Sequence, residues 1–256
     1  MNLTREQPVE AMLADLYHAL LYPRGWSLAR IGDGEVNLLR VNAQAALDWS
    51  YYGENFCDAS ALRFLQEHVV AAFREADWIG LFSHGGPDLD VQQVFELWGI
   101  PEPRQQCYAW VNRHLPMYRD FMEILKGEPM LLLGKPMQEW AEKCLLPGVQ
   151  EAKVTVYTAV TEPSTQGMFY ALCEAVRAFP GRLVLASLGV WAKPICMMAK
   201  RLGKIGIDFG HAPTDQLSNQ QLLNIGCCER GRRGYLQHWP HAKTRIPCLF
   251  PLEANS

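Results

Sequence analysis

Two acidic residues separated by one glycine end the first apolar segment of this chain. The stretch reads SLARIGDGE, from Ser27 to Glu35. In an extended segment residues i and i+2 point to the same side, so Asp33 and Glu35 can converge on one point while Gly34 lets the backbone turn. Carboxylate oxygens are the ligands that hard divalent cations prefer. The spacing therefore predicts a cation site, together with any phosphate that the cation carries.

The same turn has a structural alternative. Asp33 can instead cap a helix that starts near Val36, and this is the commoner role of an isolated acidic turn. Arg30 lies on the same predicted strand. Its side chain either forms a surface ion pair or contacts a phosphate. Because a buried arginine without a partner is strongly disfavoured, we expect a charged ligand or a carboxylate beside it.

A second stretch with chemical potential runs from Leu183 to Asp215 and predicts a strand, a helix and a second strand. The first strand ends in Ser187-Leu188-Gly189, where a helix N-terminus can receive a phosphate. Lys193, one turn into that helix, either adds positive charge to this position or lies on the solvated helix surface. The second strand ends in Asp208, just before Gly210 and His211.

The hydrophobic pattern predicts the elements that position these groups. Apolar runs of period 2 alternate with amphipathic stretches of period 3.6, which favours an α/β fold with a largely parallel sheet flanked by helices. Ligands of such sheets bind beyond the carboxyl ends of the strands. The predicted helices include an opening one through Val9 and Leu20, then 60–76 and 165–179. The predicted strands are 26–31, 78–83, 107–111, 130–133, 154–160, 183–188 and 205–209.

Composition narrows the functional class. The 256 residues carry a net charge of −3, with 49% hydrophobic and 20% charged residues, which argues against a disordered chain or a nucleic-acid partner. The eight cysteines have no CxxC pair, so we expect reduced, buried thiols and no zinc site. We see no signal peptide and no membrane-spanning run. We expect a single domain over residues 1–256, located in the cytoplasm or at the inner face of the membrane.

Together the two stretches resemble the GT-D family of glycosyltransferases, which have a Rossmann-like sheet and a DxE motif in a signature close to S-x-x-R-[FI]-G-D-G-E. Ser27, Arg30, Gly32, Asp33 and Glu35 match it. A later signature, a strand ending in L-G followed by a helix and a strand close to I-D-I-G-H, is similar to the second stretch. Its matching residues are Leu188, Gly189, Ile207, Asp208, Gly210, His211 and, in the carboxylate position, Asp215.

The resemblance implies a transfer of sugar from a nucleotide-diphosphate donor, a UDP-sugar above all, to a glycan or glycoprotein acceptor in cell-surface glycan synthesis. It implies a metal, Mn²⁺ or Mg²⁺, bound by Asp33 and Glu35. Asp215 is the candidate general base and His211 a second catalytic candidate, while Asp208 either orients His211 or binds the donor ribose. The implied donor-binding residues are Arg30, Gly32, Gly34, Gly189 and Asp208.

The middle of the chain departs from the family pattern. In place of the Arg- and Asn-containing turn after the fifth strand it has TAVTEPSTQGMF, which leaves Thr165 or Gln166 as substitutes. Two alternatives therefore stay open: a catalytically inactive binding module and another Rossmann-like nucleotide-dependent enzyme. Against the latter, no G-x-G-x-x-G follows the first strand, and the acidic turn occupies the position that a dinucleotide pyrophosphate approaches.

Overall fold

In the part of the chain that the computed structural model describes, seven parallel strands form one sheet. The structure describes residues 7–40, 59–81, 88–146, 153–157 and 166–223. The strands are β1 Trp26–Arg30, β2 Trp78–Leu81, β3 Gln106–Tyr108, β4 Met130–Leu133, β5 Val154–Tyr157, β6 Leu183–Ala186 and β7 Ile205–Asp208. Their order in the sheet is β3-β2-β1-β7-β6-β4-β5. The predicted α/β class with a parallel sheet is confirmed.

Helices cover both faces of this sheet. In the described residues they are α1 Val9–Leu21, α2 Asp33–Arg40, α3 Ala59–Glu75, α4 Asp88–Leu97, α5 Val111–His114, α6 Arg119–Gly127, α7 Pro136–Trp140, α8 Gln166–Ala178, α9 Ala192–Arg201 and α10 Ala212–Leu223. A 3-10 turn, Leu115–Met117, precedes α6, and another, Gly189–Trp191, leads into α9; a π-helical segment, Ala141–Leu145, extends α7. Among the helices described here, none is long and apolar enough to cross a membrane.

The strand side chains alternate between two cores, one on each face of the sheet. Leu131 and Leu133 of β4 pack with α2, α3, α4, α8 and α9. Met130 and Leu132 of the same strand pack on the opposite face, with α1, α5, α6, α7 and α10. Because both faces are covered, central strands such as β4 and β6 are buried and apolar along their whole length.

The order of the strands places a topological switch point, where doubly wound sheets form their ligand crevice, at the carboxyl edge between β1 and β7. The chain leaves β1 into α2 on one face and leaves β7 into α10 on the other, although the two strands are hydrogen-bonded neighbours. In doubly wound sheets, such a switch point is where ligands bind. The two stretches singled out in the sequence therefore meet at the point where the fold favours a site.

A close helix-to-strand contact brings α9 over this crevice. A side-chain carbon added at Gly206 of β7 would lie 2.5 Å from the backbone of Cys196 in α9, so only glycine lets the two segments approach. The approach places the first turn of α9 beside the ends of β1 and β7. Lys193 belongs to this turn.

All seven predicted strands are present, but several end earlier than the apolar runs. β1 stops at Arg30 because α2 begins three residues later. The run predicted to reach Val111 ends at Tyr108 because Val111 starts α5. The ends at Ser83, Val160 and Thr165 lie outside the described residues. The predicted helices 60–76 and 165–179 agree with α3 and α8 within one residue at each end. Cys107, Cys144, Cys173 and Cys196 are buried thiols, as expected.

Candidate functional site

The DGE turn forms the first turn of α2. The Val36 N–H donates to the Gly32 carbonyl, which makes Gly32 the N-cap residue. The Gly32 N–H donates to Oε2 of Glu35 at 2.7 Å. A glutamate three residues after the N-cap that accepts the N-cap N–H is half of a capping box. The cap prediction is therefore correct about the role, but Glu35 performs it rather than Asp33, whose Oδ1 accepts the N–H of Gly34 at 2.9 Å.

The second carboxylate oxygen of Glu35 is bound to Lys193. The lysine ammonium donates to Oε1 of Glu35 and also lies 3.2 Å from Oδ2 of Asp208. Lys193 is 3% exposed, Glu35 is 6% exposed and Asp208 has no exposed surface. The solvated-surface interpretation of Lys193 is therefore wrong, because α9 packs this residue against the ends of β1 and β7.

Arg30, whose side chain is 13% exposed, completes a cluster of four charges in which Glu35, Lys193 and Asp208 are buried. Its guanidinium lies 3.6 Å from Oδ1 of Asp208, and its backbone N–H donates to Oδ2 of the same residue at 3.2 Å. The guanidinium also donates to the Ala109 carbonyl and to Oδ1 of Asn112, both at 2.8 Å. The carboxylate partner expected for a buried arginine is thus Asp208.

Arg30 and Lys193 balance the charges of Glu35 and Asp208. Burial lowers the pKa of the Lys193 ammonium, but attraction by Asp208 and then by Glu35 outweighs it, and the pKa ends above its usual value. Lys193 is therefore a cation at neutral pH. A buried charge with good partners is tolerated, whereas one that loses its partner is strongly destabilising. The cluster consequently ties together the ends of β1 and β7 and the first turns of α2 and α9.

Other predicted residues at the same edge reach solvent. Asp33, Gly189 and His211 are exposed. Asp215, in the first turn of α10, is about a third exposed, and its Oδ2 lies 2.7 Å from Nε of Arg113. This contact is an ion pair, and Oδ2 accepts no hydrogen bond. Arg113 in turn covers the ring of Trp110, with 4.5 Å from its Cζ to the ring centroid.

These residues do not fit a metal site built from both carboxylates of the turn. One oxygen of Glu35 faces an ammonium and the other accepts a backbone N–H. A divalent ion about 4 Å from that ammonium would be repelled by about 8 kcal/mol at an effective dielectric constant of about 20. In the described part of the chain, no three His, Cys, Asp or Glu side chains come together in a way that can hold a metal. Asp33 is left as the exposed carboxylate of the turn.

The predicted site residues thus divide into two groups. The structure brings Arg30, Glu35 and Asp208 together in the interior. Asp208 has no exposed surface, so its side chain does not fit a direct contact with the sugar donor. The hydrogen bonds of the Arg30 guanidinium are made to other groups of the protein. Gly32 caps α2. The exposed positions at the edge are Asp33, Gly189, His211 and Asp215, with Gly34 half-buried.

Sequence reasoning did not identify Asn112 and Arg113. Asn112 is fully buried and joins two segments, because its Oδ1 accepts from Arg30 while its Nδ2 donates to the Phe209 carbonyl at 2.6 Å. A signal existed for Lys193, which lies three residues before Cys196 and shares the buried face of its helix. No local pattern marks Asn112, since its partners come from β1 and from the end of β7.

The fold and its switch-point crevice define a Rossmann-like α/β protein whose candidate site lies at the carboxyl edge of the sheet. The sequence profile of the GT-D-like family, described as a GT-D fold-like domain, matches residues 7–215. The chain therefore belongs to the GT-D-like family. No curated protein matches it.

Solved structures show the same fold. One, described as showing that the highly conserved domain of unknown function 1792 has a distinct glycosyltransferase fold, is 15% identical, with a TM-score of 0.59 over 86% of this chain and 82% of that one. Another, described as a new glycosyltransferase of that domain type from Streptococcus sanguinis, is 16% identical, with a TM-score of 0.54 over 84% of each chain. At these identities the similarity establishes the GT-D glycosyltransferase fold.

Proposed function

We propose that this protein is a glycosyltransferase that moves a sugar from a nucleoside-diphosphate donor to a glycan or glycoprotein acceptor. The observation that carries the proposal is the GT-D-like match over residues 7–215, a span that includes the crevice and its exposed polar groups. The solved structures described as glycosyltransferases have the same fold and support the same class of reaction.

The donor diphosphate fits the positive ends of helices at this edge. Helix α2 begins at Asp33, α9 follows the Gly189–Trp191 turn, and α10 begins at Ala212. All three follow the carboxyl ends of neighbouring strands, and helix N-termini attract anions through their N–H groups and dipoles. We assign the diphosphate to the space beside Gly189, Gly32 and Gly34, where the backbone can approach a ligand closely.

In the transfer, the acceptor hydroxyl oxygen forms a bond to the anomeric carbon, and the bond from that carbon to the β-phosphate oxygen breaks. The bonding pair leaves with the nucleoside diphosphate, and the hydroxyl proton passes to a base. We assign the base to Asp215. Its Oδ1 has to face the acceptor, because Oδ2 is in contact with Arg113. His211, exposed just before α10, is assigned to the same acceptor side of the site.

Metal dependence remains a prediction, with Asp33 as the carboxylate concerned. A carboxylate beside a diphosphate is repelled unless a cation lies between them, and Asp33 is exposed at the first position of α2. When bound, a Mn²⁺ or Mg²⁺ ion would supply neutralisation of the diphosphate charge. UDP is the nucleotide that we expect, and a cell-surface glycan the acceptor, both on the family resemblance.

Thermal unfolding and slow donor hydrolysis test this proposal. The natural protein is compared with Asp33→Asn and with Glu67→Gln, a charge-removing control at an exposed position of α3. UDP-, GDP- and CMP-sugars are added with and without Mn²⁺. A ligand at 100 times its Kd adds about 2.7 kcal/mol, so one nucleotide class should raise Tm by about 5–10 °C for a domain of this size. Asp33→Asn should lose this shift and Glu67→Gln should keep it.

The outcomes separate the alternatives. Stabilisation by NAD or S-adenosylmethionine in place of a sugar nucleotide would contradict the proposal and favour a different Rossmann-like enzyme. Nucleotide-sugar binding without hydrolysis or transfer would favour an inactive binding module. The contact between Arg113 and Asp215 favours that second candidate, since it occupies one oxygen of the assigned base. An Arg113→Gln variant with restored hydrolysis would show that the contact restrains the base.

A further inference from the structure

The ammonium of Lys193 occupies the position between the DGE turn and the end of β7 that a metal cation would be expected to take. It donates to Glu35, lies 3.2 Å from Asp208 and donates to the Gly189 carbonyl, also at 3.2 Å. We propose that Lys193 is the resident cation of this site and that Glu35 is a positioning residue bound to it, not a metal ligand.

The hydrogen bonds of Glu35 support this assignment. Oε1 accepts from Lys193, and Oε2 accepts the Gly32 N–H at 2.7 Å, so each carboxylate oxygen already has a donor. The side chain is 8% exposed, and that of Lys193 is 4% exposed. A metal ion could reach Glu35 only by displacing the ammonium, which would then be buried beside a second cation.

The charge balance points the same way. Two cations, Arg30 and Lys193, face two carboxylates, Glu35 and Asp208, and every one of the four has a partner of opposite sign. A neutral cluster of this kind has no excess negative charge with which to attract a further cation. Asp33 lies outside the cluster and is exposed, so its carboxylate can contact a ligand.

One ammonium therefore joins the three segments that surround the assigned diphosphate position. It links the first turn of α2 through Glu35, the end of β7 through Asp208, and the Leu188-Gly189 turn through the Gly189 carbonyl. Lys193 thereby fixes the spacing between Asp33 and the turn that precedes α9. This functional consequence rests on the proposed function, whereas the identity of the resident cation does not.

Mn²⁺ titration calorimetry, with and without UDP, tests the role of Glu35. We expect Glu35→Gln to bind Mn²⁺ within about threefold of the natural protein, like the Glu67→Gln control, and Asp33→Asn to bind it at least tenfold more weakly. A natural protein that binds no Mn²⁺ also agrees, because the proposal keeps metal away from Glu35. A folded Glu35→Gln variant that loses Mn²⁺ as completely as Asp33→Asn overturns it.

Chemical rescue of Lys193→Ala tests the resident cation. Removing the ammonium takes away the positive charge that lies between Glu35 and Asp208. A small cation that enters the space should replace it, so ethylammonium or Mn²⁺ should raise the Tm of the variant by several degrees and ethanol should not. The response should be lost in Glu35→Gln/Lys193→Ala and absent in Lys153→Ala, an exposed lysine before β5. If Lys193→Ala does not fold alone, its refolding yield with ethylammonium against ethanol gives the same comparison.

A folded Lys193→Ala variant that is as stable as the natural protein and equally unaffected by both cations refutes the assignment. These measurements use no sugar donor. If no sugar nucleotide stabilises the protein but ethylammonium rescues Lys193→Ala, the transferase proposal is rejected and the resident cation is retained. If a sugar nucleotide binds but no cation rescues the variant, the transferase proposal is retained and the resident cation is rejected.

Discussion

Replacing Asp208 by asparagine should be among the most destabilising single changes at this site. The substitution keeps the size of the side chain but removes the charge that faces Arg30 at 3.6 Å and Lys193 at 3.2 Å. Asp208 has no exposed surface, so water cannot take over the role of the carboxylate. Lys193 would keep Glu35 as its carboxylate partner, and Arg30 would lose the carboxylate that it faces.

Removing one partner of a buried ion pair destabilises a protein by about 3–5 kcal/mol. Since 1 kcal/mol shifts Tm by about 2–4 °C in a domain of this size, the expected loss is about 6–20 °C. The exposed pair between Glu75 and Arg201 provides the control, because its side chains are 37% and 49% exposed. Glu75→Gln should change stability by less than about 1 kcal/mol.

Urea unfolding followed by tryptophan fluorescence and by circular dichroism measures both variants. In Asp208→Asn/Lys193→Met the cluster is again neutral, and part of the lost stability should return. An Asp208→Asn variant within about 1 kcal/mol of the natural protein would refute the reasoning, since it would show that the carboxylate does not hold the two cations.

Three further predictions concern other positions. Gly210→Ala should destabilise the protein more than Gly203→Ala. Both glycines have positive φ, which destabilises an alanine by about 1–2 kcal/mol, but only at Gly210 would the added carbon lie 1.8 Å from Arg30. Equal urea midpoints of the two variants would contradict this. Asn112→Ala should cost about 1–3 kcal/mol by leaving buried hydrogen-bonding groups of its partners unpaired, and a loss under about 0.5 kcal/mol in the same assay would speak against it. Burial raises the pKa of Cys173 to about 11, so peptide mapping after alkylation at pH 8 should find it unmodified in the native protein and modified in urea, and rapid native labelling would show that the thiol is accessible.

The raised pKa of Lys193 also fixes the sign of its pH dependence. A lysine whose pKa is higher in the folded protein contributes stability that is fully present below the unfolded value of about 10.4 and is lost as pH rises through the folded value. The cluster should therefore persist through neutral pH and weaken in strong alkali. Lys193→Met should remove that alkaline loss from the pH profile of urea midpoints, while Lys153→Met should leave it unchanged.

Much of the fold follows from local pattern. Strands such as β4 and β6 are apolar on both faces because helices cover the sheet on both sides, and that composition is visible without a structure. The end of β1 was harder to predict. Ile31 continues the apolar run, but α2 starts at Asp33. The hydrogen bond from the Gly32 N–H to Glu35 caps this helix and favours it over a longer strand.

The sequence by itself determined that an acidic turn follows the first strand and that a second phosphate-compatible turn follows Leu188. It could do so because both features depend on residues adjacent in the chain. Only the tertiary structure decided that Glu35 faces Lys193, 158 residues away. The order of the strands places β7 beside β1, and that order reflects the packing of whole helices rather than any local spacing. The same two carboxylates therefore differ in role because one points into the interior toward an ammonium and the other toward solvent.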